Sequence, residues 1–174
     1  CGYEHITNPT EILNRLDSQL IDVLNQSSES IIKDSIDISI LTYNSVTGIV
    51  EIASARRPVY AFIDGVLTYV KGTRRSIGDR EDINRRREFE TTKMAVKKGD
   101  VFYLITDGFK DQFGGQTEYG PQGTLFTSIR VEEMLKHVSK MPMSAQLGAI
   151  DKTFETWKGT CSQVDDVSLV CVKI

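Results

Sequence analysis

Histidine, cysteine and long apolar runs are scarce in this chain, and each scarcity removes a class of function. The two histidines, His5 and His137, have no partner at ligand spacing. They read as surface or satisfied side chains rather than as an imidazole metal site. The three cysteines, Cys1, Cys161 and Cys171, are odd in number and lack metal-like spacing. Cys171 alternates within the last apolar run and reads as core, while Cys161 has no histidine base nearby in sequence. No signal-peptide pattern opens the chain, and with this cysteine usage a reducing, cytoplasmic setting is expected. No apolar run approaches the roughly 20 residues that span a bilayer, so no membrane contact is expected. The net charge of −3 gives no basic footprint for nucleic acid or for an anionic membrane surface. The G-x-S-x-G, P-loop and G-x-G-x-x-G patterns are missing. So are repeats, low-complexity tracts and domain-scale linkers, and residues 1–174 read as a single domain. The chain opens on Cys1 rather than methionine, and reads as a piece of something longer.

What is present suffices for a core, with 40% hydrophobic residues. Asn8-Pro9-Thr10-Glu11 carries a helix cap, a first-turn proline and an acid at capping-box spacing. Ile12, Leu13, Leu16, Leu20, Val23 and Leu24 continue it as one apolar face to about Asn25, and a polar loop follows. Residues 36–43 alternate as a half-buried strand and 49–53 return as its hairpin partner. Runs at 59–63 and 66–70 flank Asp64-Gly65, a strong hairpin signal. The segment 71–87 carries Arg74, Arg75, Arg80, Arg85, Arg86 and Arg87. Two readings stand for it. One is a basic patch for a phosphorylated or acidic partner. The other is a solvated loop offset by Asp79, Glu81, Asp82 and Glu88. Residues 88–96 read as a strand that Lys97-Lys98-Gly99-Asp100 turns into the next one as a further hairpin. After a glycine-rich loop at 114–123, helices are expected at 127–138 and 144–157. Their apolar faces are Ile129, Met134, Leu135 and Val138, then Leu147, Ile150, Phe154 and Trp157. A closing strand occupies 167–174.

The chemistry concentrates where strands end. Val101 to Thr106 is an apolar run that fits a buried strand, and it stops at Asp107-Gly108. Asp107 reads either as the start of a plain Asp-Gly turn or as an acid held rigidly by the sheet. Asp165 and Asp166 precede the closing strand. If the two strands lie antiparallel in one sheet, the three carboxylates share an edge. Oxygen donors with no thiolate or imidazole nearby suit a hard cation, Mg²⁺ or Mn²⁺.

Five segments together carry a resemblance: Asn8-Pro-Thr-Glu-Ile-Leu13, Ala53-Ser-Ala-Arg-Arg-Pro-Val-Tyr60, Ser76-Ile-Gly78, Lys98-Gly-Asp-Val-Phe-Tyr-Leu-Ile-Thr-Asp-Gly108 and Asp165-Asp-Val-Ser-Leu-Val170. As a set, with the strand at 36–40, they are similar to the SpoIIE/RsbU-like serine phosphatases of the metal-dependent protein phosphatase (PPM) superfamily. Lys110-Asp-Gln-Phe-Gly-Gly115 looks like the branch found in sensor-coupled bacterial regulators. The resemblance implies an α+β fold: an α-β-β-α sandwich of antiparallel sheets flanked by helices. It implies two Mn²⁺ or Mg²⁺ ions in the complete family domain and a metal-activated water that hydrolyses phosphoserine or phosphothreonine. By motif match, Asp107 looks like the Thr-Asp-Gly ligand with Gly108 shaping its turn, Asp165 like the ligand before the last strand, and Asp166 like its neighbour. The implied substrate is a phosphorylated regulatory protein of the anti-sigma-factor-antagonist type, with sensor domains upstream in the parent chain. Arg57 is a candidate contact for the substrate phosphate, or else an arginine covering a hairpin face.

The departures are equally informative. The family's Gly-Asp-Phe-Tyr-like and Asp-x-x-Gly-His-Gly segments, whose aspartates bridge both metals, do not occur in this sequence. The expectation is a domain lacking its N-terminal strands, with metal binding weak or absent and little activity alone. Open sheet edges would favour homodimerisation. The alternative to a phosphatase domain is a non-catalytic pseudophosphatase, a signalling module that binds partners.

Overall fold

The computed structural model describes residues 6–26, 35–79, 88–119 and 123–174. Cys1, His5, the polar segment 27–33 and Arg80, Arg85, Arg86 and Arg87 lie outside the described residues. In chain order the elements are α1 (Pro9–Gln26), β1 (Ile38–Asn44), β2 (Ile49–Ala55), β3 (Val59–Ile63), β4 (Val66–Val70), β5 (Thr91–Ala95) and β6 (Val101–Ile105). They continue with β7 (Phe113–Gly114), α2 (Gln116–Tyr119), β8 (Thr124–Leu125), α3 (Thr127–Val138), α4 (Met143–Lys158) and β9 (Leu169–Lys173). The fold is thus α+β, built of antiparallel sheets and helices. No described helix is long and apolar enough to cross a membrane.

The chain forms two compact units. One comprises Cys1–Val59, Tyr69–Lys98 and Ile174, and the other Tyr60–Thr68 and Gly99–Lys173. The first unit holds a three-stranded sheet in the order β1-β2-β5. Asn8 caps α1 as expected: its Oδ1 accepts the Glu11 amide at 3.0 Å, satisfying one of the orphan first-turn donors. Leu13 is fully buried, in a cluster with Ala53, Ala55, Ile77 and Phe89, and Leu16 and Leu20 pack against it. Val23, expected on that face, is exposed. β1 and β2 pair from Ile38↔Ala55 to Asn44↔Ile49.

β5 pairs with β2 and not with β6, so the hairpin expected across Lys97–Asp100 does not form. The turn signal there is real, since Gly99 has φ +105°, but a turn does not choose its strand partners. The Val96 amide, bonded to the Gly48 carbonyl at 2.8 Å, keeps β5 on β2. Asp100 is buried, and its carboxylate accepts the Asp64 amide at 3.0 Å in the β3–β4 turn.

Arg75 also departs from both readings of its loop. It is buried, pairs with the equally buried Asp17 of α1, and stacks 4.4 Å over Phe89. Asp17 Oδ1 also accepts the Gly78 amide at 2.8 Å. Ser76-Ile-Gly78 thus ties α1, through the Gly78 amide, to the segment before β1, through the Ile36–Ile77 bridge and the Ser76–Asp37 hydrogen bond.

The second unit holds the four-stranded sheet β4-β3-β6-β9. Its core gathers Tyr60, Phe62, Tyr103, Phe109, Phe126, Leu135, Ile150 and Phe154. Phe109 contacts Phe126 and Phe154 with ring centroids 5.1 and 5.0 Å apart. The expected helix faces shift slightly. Ile129 and Leu147 are exposed, whereas Val131 and Gln146 point inward. Gln146 is buried because its polar atoms are satisfied: Oε1 accepts the Tyr103 hydroxyl at 2.7 Å, and Nε2 donates to the Met141 carbonyl at 3.1 Å.

Candidate metal centre

β6 and β9 run antiparallel from Val101↔Lys173 to Ile105↔Leu169. The end of β6 therefore meets the start of β9. The ladder continues one step further, with the Thr106 amide donating to the Ser168 carbonyl at 3.0 Å. Beyond it the Thr106 side chain takes over from the backbone. Its Oγ1 accepts the Ser168 amide at 2.8 Å and donates to the Asp166 carbonyl at 3.0 Å.

Gly108 completes this meeting point, but not by a left-handed backbone. A Cβ there would stand 2.5 Å from the Asp166 carbonyl oxygen and 3.2 Å from the Asp165 carbonyl carbon. The glycine is needed for close approach of the two chain segments. Downstream, the Asp111 amide bonds the Asp107 carbonyl at 3.0 Å, closing a turn over residues 107–111. Phe109 anchors that turn in the aromatic core.

Asp107 is half-buried, and Asp165 and Asp166 are exposed. Asp165 Oδ1 accepts the Asp166 amide at 2.7 Å, and the Asp165 carbonyl accepts Gln163 Nε2 at 2.8 Å. The structure thus brings Asp107, Gly108, Asp165 and Asp166 to one sheet edge. Arg57 belongs to the other unit, on the β2–β3 connection, where Ser39 Oγ donates to its carbonyl at 3.0 Å and its side chain is half-buried. Its neighbour Arg56 is exposed and has φ +58°. Thr106 and Gln163 join the aspartates at this edge, and the only sequence signal for either is the hydroxyl directly before Asp-Gly.

Among the described residues, no three His, Cys, Asp or Glu side chains form a group able to hold a metal ion. The side chains that the β6–β9 edge offers, Asp107, Asp165 and Asp166, carry carboxylate oxygens, the donor type that a hard cation takes. Mg²⁺ characteristically takes one or two protein carboxylates and keeps several waters.

Residues 3–174 match the family model described as Stage II sporulation protein E (SpoIIE). No curated protein sequence matches the chain. Among solved structures, the SiaA-PP2C domain of Pseudomonas aeruginosa superposes with a TM-score of 0.81 at 27% identity, over 97% of this chain and 61% of that one. The RsbU and RsbW domains of a Mycobacterium tuberculosis protein superpose at 0.62 with 18% identity, over 99% of this chain and 42% of that one. The manganese-presoaked phosphatase domain of the cell fate determinant SpoIIE from Bacillus subtilis superposes at 0.56 with 13% identity, over 100% and 76%. This chain thus spans less than two thirds of each of the first two. The match over nearly every residue, together with antiparallel sheets and helices arranged as in PP2C folds, shows that the chain belongs to the SpoIIE family of PP2C-type phosphatase domains.

Proposed function

We propose that this chain is the C-terminal catalytic part of a metal-dependent protein serine/threonine phosphatase domain. Its substrate is a phosphorylated bacterial regulatory protein of the anti-sigma-factor-antagonist type, met in the cytoplasm, and the parent chain carries sensor domains upstream. The observation that supports the reading is that the backbone of Asp107-Gly108 meets that of Asp165-Asp166 at the β6–β9 edge. Asp107 and Asp165 supply carboxylate oxygens to Mn²⁺ or Mg²⁺, with Asp166 as the adjacent donor. The bound ion supplies an activated water and neutralises phosphate charge. The chain's own part is to hold those oxygens still. The sheet fixes Asp107 at the strand end, and the Asp166 amide holds one oxygen of Asp165 and so orients the other.

Only Asp107 and Asp165, with Asp166 beside the latter, match the family's ligand positions in these 174 residues. Weak metal affinity and low turnover by the chain alone follow from that. The same count supports a second reading, a non-catalytic signalling module that binds partners. Mn²⁺ titration calorimetry on the chain beside its Asp107→Asn variant, with a phosphoserine-peptide assay of the upstream-extended protein, separates the two. Loss of heat in the variant and turnover by the longer protein are expected. A heat unaffected by the substitution removes Asp107 from the site, and a longer protein inert with Mn²⁺ leaves the signalling module.

A further inference from the structure

We infer that Thr106 is the positioning residue of this site: its hydroxyl fixes where Asp165 and Asp166 stand relative to Asp107. The inference rests on the metal reading above and deepens it.

The hydroxyl has one proton and two acceptor lone pairs. It accepts the Ser168 amide at 2.8 Å. For its own proton the Asp166 carbonyl lies at 3.0 Å and the Ser168 carbonyl at 3.4 Å, and the second already takes the Thr106 amide. The proton therefore goes to Asp166. One side chain thus binds both flanks of Val167, just where regular pairing of β6 with β9 stops. Without it, the last cross-strand hydrogen bond there among the described residues would be the Thr106 amide, and the Asp165-Asp166 segment would be left with the packing of Val167 against the core. Gly108 lets the same Asp166 carbonyl come close enough to be held. The remaining ties of the pair, from Gln163 and within Asp165-Asp166, are local to that loop and do not reach β6.

The chemistry explains why this residue type is used. A serine or threonine at this place can replace a backbone donor and acceptor together, which no apolar strand residue does. Threonine also keeps the β-branched shape favoured in the strand. Thr106 would not touch substrate or metal; it acts through the two aspartates.

The test uses the ¹⁵N-labelled chain with Mn²⁺ as probe, since paramagnetic broadening of backbone amides reports weak as well as tight binding. In the wild type, broadening is expected to centre on residues 107–108 and 165–166. In Thr106→Val, an isostere without the hydroxyl, the Mn²⁺ needed to half-broaden 165–166 should rise at least tenfold. Residues 107–108, whose place at the end of β6 does not depend on the hydroxyl, should still broaden once Mn²⁺ is raised, and the Ser168 amide should exchange at least tenfold faster. Thr106→Ala, the second hydroxyl-free variant, should behave likewise. Thr106→Ser should restore both readouts to within threefold of the wild type, which a general loss of strand stability would not do. Unchanged broadening at 165–166 in both hydroxyl-free variants, or failure of serine to rescue, overturns the inference. Failure of the underlying metal reading looks different: Asp107→Asn then broadens as the wild type does, or the wild type does not broaden at all, and the positioning role falls with it.

Discussion

Asp17 and Asp165 do similar geometric work and are built in opposite ways. Each sits where chain segments distant in sequence meet. Asp17 is buried and spends its carboxylate on the fold, one oxygen on the Gly78 amide and the other on the Arg75 guanidinium. At Asp165-Asp166 the tie to β6 runs through the Asp166 carbonyl and the Ser168 amide, both clasped by the Thr106 hydroxyl, while the aspartates are exposed and the Asp165 carboxylate makes only a local bond among the described residues, to the Asp166 amide. An acid whose oxygens are consumed by the fold is a structural acid. An acid whose main chain is held while its side chain stays exposed keeps its oxygens for something else.

The largest expected effect tests the structural half of that contrast. Asp17→Ala leaves the Arg75 guanidinium buried without its carboxylate, and breaking such a pair costs about 3–5 kcal/mol. Denaturant unfolding should show that loss; a change below about 1 kcal/mol would mean that solvent reaches the pair and the contrast in burial is not real. Gly108→Ala comes next. Its methyl would stand 2.5 Å from the Asp166 carbonyl. Overpacking of this kind costs about 1–3 kcal/mol. The strain should fall on the β9 side and show as faster amide exchange at Ser168, with the Val101–Tyr103 amides unchanged.

These two positions also show what could be read from the chain beforehand. The α1 cap, the Asp64-Gly65 turn and the meeting of Asp107 with Asp165 are carried by short-range signals, or by two strands whose ends carry the same residue type. The Asp17–Arg75 pair is 58 residues apart in sequence, and nothing local distinguishes Arg75 from Arg74. The partner of β5 is illegible for the same reason: a turn records a change of direction and not which sheet comes next. On α4 the inward face includes Gln146 in place of Leu147, because the Tyr103 hydroxyl satisfies the amide. Polarity predicts exposure only until a tertiary partner is known. Gly108 was recognised as necessary, but as a turn residue, and the structure gives the reason as close approach.

A smaller effect compares the site edge of the β6–β9 pair with its middle. Away from the site edge, Tyr103 lies opposite Cys171. Burial first, then the neighbouring Cys171, pushes the tyrosine hydroxyl above its ordinary 10.0. Burial likewise raises the Cys171 thiol above its ordinary 9.0. Both groups are neutral when protonated, and both folded-state values are raised. Their contribution to stability is therefore complete below about pH 9 and declines as pH climbs from the unfolded toward the folded values. Tyr103→Phe should cost about 0.5–1.5 kcal/mol at neutral pH through the lost hydrogen bond to Gln146. It should also flatten the decline above pH 10. An alkaline limb as steep as that of the wild type would mean that Tyr103 ionises freely in the folded protein.

The smallest stability effect carries the most meaning for function. Asp165→Asn keeps a side-chain oxygen able to accept the Asp166 amide, and leaves untouched the backbone carbonyl bonded by Gln163. An exposed substitution of this sort is expected to move unfolding by no more than about 0.5 kcal/mol. It removes one negative charge and one anionic oxygen from the β6–β9 edge, so Mn²⁺ broadening at residues 165–166 should fall at least tenfold in apparent affinity. Stability without affinity is the signature of a residue held by its main chain for the use of its side chain. Should Asp165→Asn instead destabilise the chain by 2 kcal/mol or more, its carboxylate would belong with that of Asp17. The distinction drawn between the two aspartates would then collapse, and with it the case for a metal at this edge.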